Sequence, residues 1–360
     1  MAPETDVAGL AERLADGRLR CKVCQRSCVL SPDQSGFCRV RVHRGGRIVP
    51  LTYGRVAALC WAEVERKPLF HFYPGQIMLS VGSLGCNFRC PGCQNWELAH
   101  AEMEAALPDT EFISPADLVE LAARRGPLMR GPCRGALGIS WTYNEPAMWF
   151  EYTREGARLA KRRDLMTNYV TNGSITADAL DAIGPFLDAY RVDIKGFSAE
   201  TYRRVANFPD FRGILQVAER AKRRWGMHVE CVTNVVPTLN DREEEWRGIA
   251  RWIAEALSPD TPWHVTRFIP HHGLKHLPAT EVRVLEAARE VGLSEGLKFV
   301  YIGNVPGHPA ENTYCPQCGR IVVKRAGLAH PRVLLEGNAC PACGTEIPGR
   351  FAPSAKSLQP

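Results

Sequence analysis

Cysteine spacing constrains this chain more than any other feature of its sequence. Eleven of the 14 cysteines fall into three tight clusters: Cys21, Cys24, Cys28 and Cys38; Cys86, Cys90 and Cys93; and Cys315, Cys318, Cys340 and Cys343. The N-terminal residues lack the apolar run of a signal peptide, so we expect a cytoplasmic protein, in a compartment where disulfides rarely persist. Clustered cysteines in that compartment indicate bound metal.

Composition narrows the class of protein further. A hydrophobic content of 45% and a charged content of 23% are ordinary for a globular protein, and no stretch approaches the ~20 apolar residues that a membrane helix needs. The net charge of +6 is spread along the chain, which predicts solvated helix faces and argues against nucleic-acid binding. A mildly basic face also suits docking of an acidic electron-transfer protein.

The arrangement of apolar runs predicts four regions. We expect an N-terminal four-cysteine module over residues 1–74, an α/β catalytic domain over 75–312, a C-terminal four-cysteine module over 313–351 and a tail over 352–360. Residues 1–20 mix both charge signs and predict a short amphipathic helix. In the catalytic domain, apolar β-type runs alternate with helical patterns, which predicts βαβ units and a parallel sheet.

Individual elements follow from the same patterns. Strands are predicted at Ile77–Gly82, Ala136–Trp141, Asn168–Thr171, Ala189–Ile194, His228–Val235, Trp263–Phe268 and Lys298–Ile302. Helices are predicted at Ser114–Arg124, Trp149–Arg162, Ala199–Arg204, Ile214–Arg224, Arg242–Leu257 and Glu281–Val291. The fold class is therefore α/β, and we expect a partial (β/α)6-type barrel with small cysteine-rich modules at both ends. An open doubly wound sheet is the alternative.

The central cluster has the spacing C-x3-C-x2-C and follows the first predicted strand of the catalytic domain. Three thiolates on one loop suit three corners of a cubane iron–sulfur cluster and leave the fourth iron open to a ligand. A three-ligand zinc site is the alternative, although zinc sites more often combine CxxC pairs and four ligands. Active sites of α/β folds lie where the parallel strands end, as this loop does.

On these residues the chain resembles the radical S-adenosylmethionine (SAM) superfamily. Within it, the chain is most similar to the branch of pyruvate formate-lyase activating enzymes, and especially to the AmmeMemoRadiSam system radical SAM enzymes. The resemblance rests on the central cysteine motif, on the CPxCG pair near the C-terminus and on these segments: Cys21-x2-Cys24-x3-Cys28-x9-Cys38, Arg66–Gly75, Gly85–Trp96, Thr142–Pro146, Val170–Gly173, Val192–Gly196 and Tyr301–Asn304.

The resemblance implies a cofactor and its contacts. Cys86, Cys90 and Cys93 would hold a 4Fe-4S cluster that cleaves SAM to methionine and a 5′-deoxyadenosyl radical. The resemblance also implies that SAM is contacted by polar residues at strand ends: Asn144, Glu145, Thr171, Asn172, Asp193, Lys195, Thr233 and Asn234.

One position departs from the superfamily. The residue before the third cysteine is usually an aromatic that packs on adenine, and here it is Gly92, so Phe88 or Trp96 would have to supply that face.

The flanking clusters are open to more than one interpretation. Cys315, Cys318, Cys340 and Cys343 form two CPxCG knuckles that predict a zinc ribbon, with a rubredoxin-like iron as the alternative. Cys21, Cys24, Cys28 and Cys38 are unevenly spaced and suit either zinc, which we favour from the sequence, or an auxiliary iron–sulfur cluster. His264, His271 and His272 lie at or just beyond the sixth strand, where donors to a substrate are a hypothesis beside ordinary packing.

These observations predict an enzyme that uses SAM and an acidic electron donor such as flavodoxin or ferredoxin. Its radical would abstract hydrogen from a substrate that the sequence does not identify, with a protein substrate as one option. A first alternative is an activating enzyme of a glycyl-radical enzyme. An alternative of another class is a non-catalytic zinc-binding or nucleic-acid-binding module.

Overall fold

A computed structural model describes residues 9–124, 136–327 and 331–351. Cys133 and the predicted tail over 352–360 lie outside these residues. Within them the chain forms one large, mostly parallel sheet with helices between its strands, and smaller antiparallel sheets near both termini. No helix in these three ranges is long and apolar enough to cross a lipid bilayer.

The N-terminal segment is β-structure. Its strands are β1 (Ala11–Arg13), β2 (Leu19–Cys21), β3 (Val29–Leu30), β4 (Arg41–Arg44), β5 (Arg47–Pro50) and β6 (Arg55–Val56). The helix predicted for residues 1–20 is therefore wrong over the part from residue 9 onward. Gly17 has φ +82° and turns the chain between β1 and β2, which pair antiparallel and bury Leu10 and Leu19. A left-handed glycine is permitted in such a turn and disfavours a helix.

The central sheet has its parallel strands in chain order. After the edge strand β7 (Ala58–Glu63), this sheet contains β8 (Ile77–Gly82), β10 (Gly138–Trp141), β11 (Met166–Thr171), β12 (Ala189–Asp193), β13 (His228–Val235), β14 (Trp263–Arg267) and β15 (Val300–Gly303). A short strand, β9 (Glu111–Phe112), lies between β8 and β10 in the chain. Strand β9 pairs with β6, outside this sheet. Neighbouring strands from β8 to β15 are parallel, which confirms the predicted α/β class.

This strand order decides between the two predicted architectures. A doubly wound sheet reverses its strand order at a switch point, whereas this sheet runs β15-β14-β13-β12-β11-β10-β8-β7 without a reversal. Among the described residues, β15 and β7 are the two edge strands and do not pair with each other. The sheet is therefore not closed into a full barrel. Strand β7, predicted within the N-terminal module, pairs antiparallel with β8 in the central sheet.

The helices lie between the strands. They are α1 (Trp96–Ala99), α2 (Met103–Ala106), α3 (Pro115–Ala123), α4 (Phe150–Lys161), α5 (Ala177–Ile183), α6 (Ala199–Ala206), α7 (Phe211–Arg223), α8 (Glu243–Trp252) and α9 (Val282–Ser294). The Ser114 hydroxyl caps α3 by accepting a hydrogen bond from the Asp117 N–H, as predicted. The predicted helix Arg242–Leu257 is α-helical only to Trp252 and ends as a π-helical turn.

The two cysteine-rich modules contact opposite ends of the parallel strands. The N-terminal module pairs with the segment after β11, where Cys24 bridges Ile175 and the Gln25 N–H donates to the Ser174 carbonyl at 2.8 Å. The C-terminal module contains β16 (Thr313–Tyr314), β17 (Ile321–Lys324) and β18 (Arg332–Val333). It packs against Phe299 and Tyr301, at the beginning of β15.

Candidate active site

The central cysteines lie on a loop directly after β8. Gly85 begins this loop with φ +83°, and a Cβ there would lie 2.2 Å from the Val40 side chain and 2.9 Å from the Cys38 carbonyl oxygen. The loop therefore packs tightly on the N-terminal module. Burial raises the pKa of each of the three thiols, that of Cys93 to about 11, so a bound metal is needed to hold them as thiolates.

Two side chains fix the backbone of this loop. Asn144, after β10, accepts a hydrogen bond from the Ser83 N–H at 3.0 Å and donates to the Gly85 carbonyl at 3.0 Å. The Arg89 guanidinium donates to the Cys86 and Phe88 carbonyl oxygens at 2.6 and 2.9 Å. Because its amide is committed to the loop backbone, Asn144 acts on the site by positioning the cysteines.

The segment after β11 contacts the first cysteine. The Asn172 amide nitrogen lies 3.7 Å from the Cys86 sulfur and 2.9 Å from the Asn87 amide oxygen. The Asn172 amide oxygen accepts from the Ser174 N–H and hydroxyl at 3.0 and 2.6 Å. Asn87 in turn donates to the Ser174 hydroxyl at 2.6 Å. The resulting polar network joins the cysteine loop to the end of β11.

Glu145 is the buried carboxylate of the site. It accepts hydrogen bonds from the Thr171 hydroxyl at 2.8 Å, the Asn172 N–H at 2.8 Å and the Ala147 N–H at 3.2 Å. Burial raises the pKa of Glu145 to about 7, and these hydrogen bonds only partly oppose the rise. All three hydrogen-bond donors to Glu145 are uncharged. A buried carboxylate without a cationic partner is suited to bind a positively charged group of a ligand.

Asp193 and Lys195 extend the polar edge at the end of β12. The Asp193 carboxylate accepts from Lys195 Nζ at 3.1 Å and pairs with the Arg191 guanidinium. Burial acts to raise the pKa of Asp193, but the two cations outweigh it and lower the pKa. Lys195 also acts on Cys90: its charge lowers that thiol's pKa, against the larger effect of burial. A cation–carboxylate pair therefore lies beside the cysteine loop.

Thr233 and Asn234, at the end of β13, differ in placement. Thr233 is buried, donates to the Ile194 carbonyl at 2.8 Å and accepts from the Trp263 indole N–H at 3.0 Å. Asn234 is exposed, and its amide oxygen lies 3.4 Å from the Thr266 hydroxyl. Asn234 therefore presents polar atoms at the open edge, whereas the Thr233 hydroxyl is engaged within the protein.

The structure accounts for the glycine before the third cysteine. A Cβ at Gly92 would lie 2.9 Å from Leu274 Cδ1 and 3.1 Å from the Phe268 ring. These two side chains come from the loop after β14 and occupy the space beside the cysteine loop, and the Gly273 N–H donates to the Pro91 carbonyl at 2.9 Å. Phe268 and Leu274 were not predicted from the sequence, although their position after a strand of the sheet was a usable signal.

The two predicted sources of an aromatic face have different surroundings. Phe88 is buried and stacks on Phe208, with ring centroids 4.8 Å apart. Trp96 is 40% exposed and stacks on His272, with centroids 4.7 Å apart and planes 12° from parallel. Trp96 is thus the aromatic with an accessible face near the third cysteine.

The C-terminal quartet is compact. Among the residues that the structure describes, Cys315, Cys318, Cys340 and Cys343 are the group of cysteine, histidine and acidic side chains whose ligand atoms all lie within 4.8 Å of one another. The Cys315–Cys343 and Cys318–Cys340 sulfurs are 3.5 and 3.7 Å apart. Hydrogen bonds from Thr345 lower the pKa of Cys343 to about 6, which favours the thiolate. Four sulfurs at this spacing fit one tetrahedral ion.

The N-terminal quartet has a different geometry. Cys21, Cys24, Cys28 and Cys38 line one hollow, together with Arg26, Gly36, Arg41 and Asn87. No three of these four sulfurs, all in the described part of the chain, lie within 4.8 Å of one another. The central cysteines are also spread more widely than the C-terminal quartet. Such spacing does not fit a single tetrahedral ion.

Comparisons with known proteins assign the chain to a family. Residues 80–253 match the model of the radical SAM superfamily. The chain is 35% identical over 339 residues to the protein named "Uncharacterized protein MJ0808" of Methanocaldococcus jannaschii, covering 93% of this chain and 97% of the relative. It is 24% identical over 169 residues to the isethionate sulfite-lyase activating enzyme of Desulfovibrio desulfuricans, covering 46% of this chain and 53% of that enzyme.

A solved structure shows a weaker likeness. It is a domain of the pyruvate-formate lyase-activating enzyme from Bacteroides vulgatus, with 15% identity and a TM-score of 0.40, covering 46% of this chain and 99% of that domain. A likeness of that size assigns no activity. The family match begins in β8 and contains the cysteine loop and the polar residues at the ends of β10, β11, β12 and β13. The chain belongs to the radical SAM superfamily.

Proposed function

We propose that this protein is a SAM-cleaving enzyme whose radical abstracts hydrogen from a substrate. The observation that carries the proposal is the placement of three half-buried cysteines, too widely spaced for one tetrahedral ion, beside the polar ends of the parallel strands. Cys86, Cys90 and Cys93 would hold a 4Fe-4S cluster. When bound, cluster and SAM together supply one-electron cleavage of the sulfonium to methionine and a 5′-deoxyadenosyl radical.

The surrounding residues would divide into positioning and contact roles. Asn144 fixes the backbone of the cysteine loop, and Asn172 holds Asn87 and faces the Cys86 sulfur. Thr171 holds the Glu145 carboxylate in place. Glu145 would accept from the SAM ammonium, because the carboxylate has no cationic hydrogen-bond partner of its own.

The polar edge beyond β12 would hold the rest of SAM. Lys195 would pair with the methionyl carboxylate, since its ammonium is held at the end of β12 by Asp193 and its charge acts on Cys90. Asn234 would offer its exposed amide to the ribose or the substrate, and the Trp96 indole would supply an apolar face for adenine. Thr233 would support the end of β13 through its internal hydrogen bonds.

A second candidate function is activation of a glycyl-radical enzyme. It is favoured by the partial match to the isethionate sulfite-lyase activating enzyme, although the chain spans about half the length of that relative. In that case the hydrogen donor would be a backbone glycine of a protein partner. Otherwise the substrate would be a small molecule or another macromolecule. Either function needs a low-potential donor of single electrons, such as flavodoxin or ferredoxin.

The C-terminal module would hold structural zinc. Its four sulfurs are arranged for one ion, and four protein ligands leave no open position for chemistry. If this were the only kind of metal site, the protein would be a non-catalytic zinc-binding module. The widely spaced central thiols argue against that alternative.

An anaerobic assay tests the proposed function. Reconstituted protein receives dithionite and SAM, and 5′-deoxyadenosine is measured beside the Cys90→Ala variant. Cys60→Ala is the matched control, because Cys60 is an exposed cysteine on β7 that belongs to none of the three clusters. We expect the nucleoside from wild type and the control but not from Cys90→Ala. A colourless, zinc-only wild type that leaves SAM intact would contradict the proposal.

A further inference from the structure

The N-terminal quartet lies against the central cysteine loop. All four of its cysteines line one hollow, which is partly open to solvent. Cys21, Cys24 and Cys38 are buried, and Cys28 is half-buried. A site built only to cross-link a small module does not need to lie beside the catalytic loop.

The spread of the sulfurs favours a cluster over a single ion. A tetrahedral zinc ion with Zn–S bonds of about 2.3 Å brings its four sulfurs to within ~4 Å of one another. The C-terminal quartet meets that condition, whereas no three sulfurs of the N-terminal quartet come within 4.8 Å. In a cubane each thiolate binds a different iron, so the sulfurs stand further apart. The N-terminal donor set therefore fits a four-cysteine iron–sulfur cluster.

Asn87 connects the two cysteine sites directly. It follows Cys86 in the central loop, yet it lines the N-terminal hollow. There Asn87 belongs to the same set of lining residues as Cys24 and the other three cysteines. On its other side Asn87 accepts from Asn172, whose amide nitrogen faces the Cys86 sulfur. Asn87 and Asn172 thus form a short hydrogen-bonded path from the N-terminal hollow to the Cys86 sulfur.

Arg26 bridges the same two sites with charge. Its guanidinium donates to the Asn87 carbonyl at 2.5 Å and contacts the Phe37 ring face, with 3.6 Å from Cζ to the centroid. Arg26 also lines the hollow that the four N-terminal cysteines surround. A cation between two anionic clusters offsets the repulsion between them.

We propose that the N-terminal quartet binds an iron–sulfur cluster that relays the electron to the SAM-binding cluster through the contact at Asn87. The relay role rests on the proposed function. An acidic, low-potential donor protein would reduce the N-terminal cluster by one electron, and that cluster would be reoxidised as it reduces the central one. The same electron enters the sulfonium of SAM, the S–C5′ bond breaks, methionine leaves, and the unpaired electron remains on the 5′-deoxyadenosyl group. No proton moves in these steps.

Metal content tests the cluster. In wild-type protein reconstituted anaerobically with iron and sulfide, two cubanes predict about eight iron and about eight sulfide per chain. The triple variant Cys86→Ala/Cys90→Ala/Cys93→Ala should keep about half of each, as a cluster whose electron paramagnetic resonance spectrum does not respond to SAM. Reduced wild type should also show spin–spin broadening that the triple variant lacks. A wild type with about four iron and about two zinc, or a triple variant without iron, would overturn the proposal.

A second experiment tests the relay in the Cys24→Ala variant. The rate of 5′-deoxyadenosine formation with a reduced acidic ferredoxin should be largely lost, while one turnover after direct photoreduction with deazaflavin should be retained. Equal loss in both arms, or no loss in either, would overturn the relay. Failure of photoreduced wild type to cleave SAM would instead contradict the proposed function, and its metal count would still decide the N-terminal site.

Discussion

The two flanking quartets have the same four ligands but different surroundings. The C-terminal quartet is compact, has two exposed cysteines and packs against the end of the sheet where β15 begins. The N-terminal quartet is spread around a hollow, is mostly buried and packs against the loop that follows β8. Ligand identity alone therefore does not distinguish a structural site from a redox site. Our proposal of a structural role for one quartet and a redox role for the other rests on sulfur spacing and on position relative to the strand ends.

The largest effect is expected from Gly85→Ala, which disturbs the contact between the N-terminal module and the central loop. The new Cβ would lie 2.2 Å from Val40 and 2.9 Å from the Cys38 carbonyl, at a residue with φ +83°. Overpacking and left-handed strain together predict a loss of about 2–5 kcal/mol in the free energy of unfolding. Iron content should fall at both the N-terminal and the central site, as measured by metal analysis.

Gly319→Ala is the matched control for that variant. Gly319 has φ +71°, but a Cβ added there would meet no other atom within 4 Å. Only backbone strain remains, so we expect a loss of about 1 kcal/mol and an unchanged iron content. Similar iron loss in both variants would show that the close approach at Gly85 does not couple the two cysteine sites.

The next largest effect is expected at the C-terminal quartet, which we compare with the N-terminal one. The double variant Cys318→Ser/Cys343→Ser removes the two exposed ligands of the compact quartet. We expect the loss of about one zinc per chain and a melting temperature lower by roughly 5–10 °C. Iron content and SAM cleavage should stay close to wild type, because this module lies at the opposite end of the sheet. Loss of SAM cleavage in a folded, iron-replete variant would contradict a purely structural role.

The same two ends of the sheet carry buried carboxylates with opposite electrostatics. Glu145, beside the cysteine loop, has no cationic hydrogen-bond partner. Glu230, near the beginning of β13, accepts from His228 and His264 at 2.8 and 2.7 Å and from the Phe70 and His71 N–H groups at 3.0 and 2.8 Å. Burial acts to raise the pKa of Glu230, but the histidine hydrogen bonds outweigh it and hold the pKa well below its ordinary range.

Glu230→Gln should therefore destabilise the protein by about 3 kcal/mol, since it removes the charge from a fully bonded buried network. Its folded-state pKa is depressed, so the carboxylate stabilises the fold above its ordinary pKa of 4.5, and this contribution is lost as the pH falls toward the folded value. Melting temperature measured against pH should fall more steeply below pH 4.5 in wild type than in the variant.

Glu145→Gln provides the comparison for that measurement. The Glu145 network contains hydroxyl and backbone donors only, so a smaller loss of stability is expected. SAM binding, followed by equilibrium dialysis, should instead weaken in Glu145→Gln and persist in Glu230→Gln. Weaker SAM binding in Glu230→Gln, with SAM binding retained in Glu145→Gln, would contradict the assignment of SAM binding to the end of the sheet that carries Glu145.

Much of the fold was predictable because periodicity reports burial directly. The parallel strands from β8 to β15 and the cap at Ser114 follow from local pattern. The predicted helix before Cys21 failed because pairing of β1 with β2 outweighs a weak amphipathic pattern. His264 shows a second limit: a substrate-facing role was one hypothesis, but it is the second residue of β14 and contacts Glu230 at the structural end. Strand register decides at which end of the sheet the His264 side chain lies, and the sequence does not reveal that register.

For the site, the sequence predicted the candidate ligands but not their spacing. It left zinc and iron–sulfur open for the N-terminal quartet, since the contact with Asn87 depends on packing between segments far apart in the chain. Position after a strand was the only sequence signal for Phe268 and Leu274, because their packing against the loop depends on the missing side chain at Gly92.

The smallest effect is expected from Thr233→Val, which tests whether every polar strand end contacts SAM. The Thr233 hydroxyl is buried and bonded to Ile194 and Trp263. Losing these two hydrogen bonds predicts a destabilisation of about 1–2 kcal/mol with SAM affinity retained. Asn234→Ala, one residue further along the same strand, should weaken SAM or substrate binding with little change in stability, because Asn234 is exposed. Equilibrium dialysis and thermal melting separate the two outcomes. A Thr233→Val variant that folds stably but no longer binds SAM would place the hydroxyl in the binding site, and the division between structural and ligand-facing residues of β13 would then be wrong.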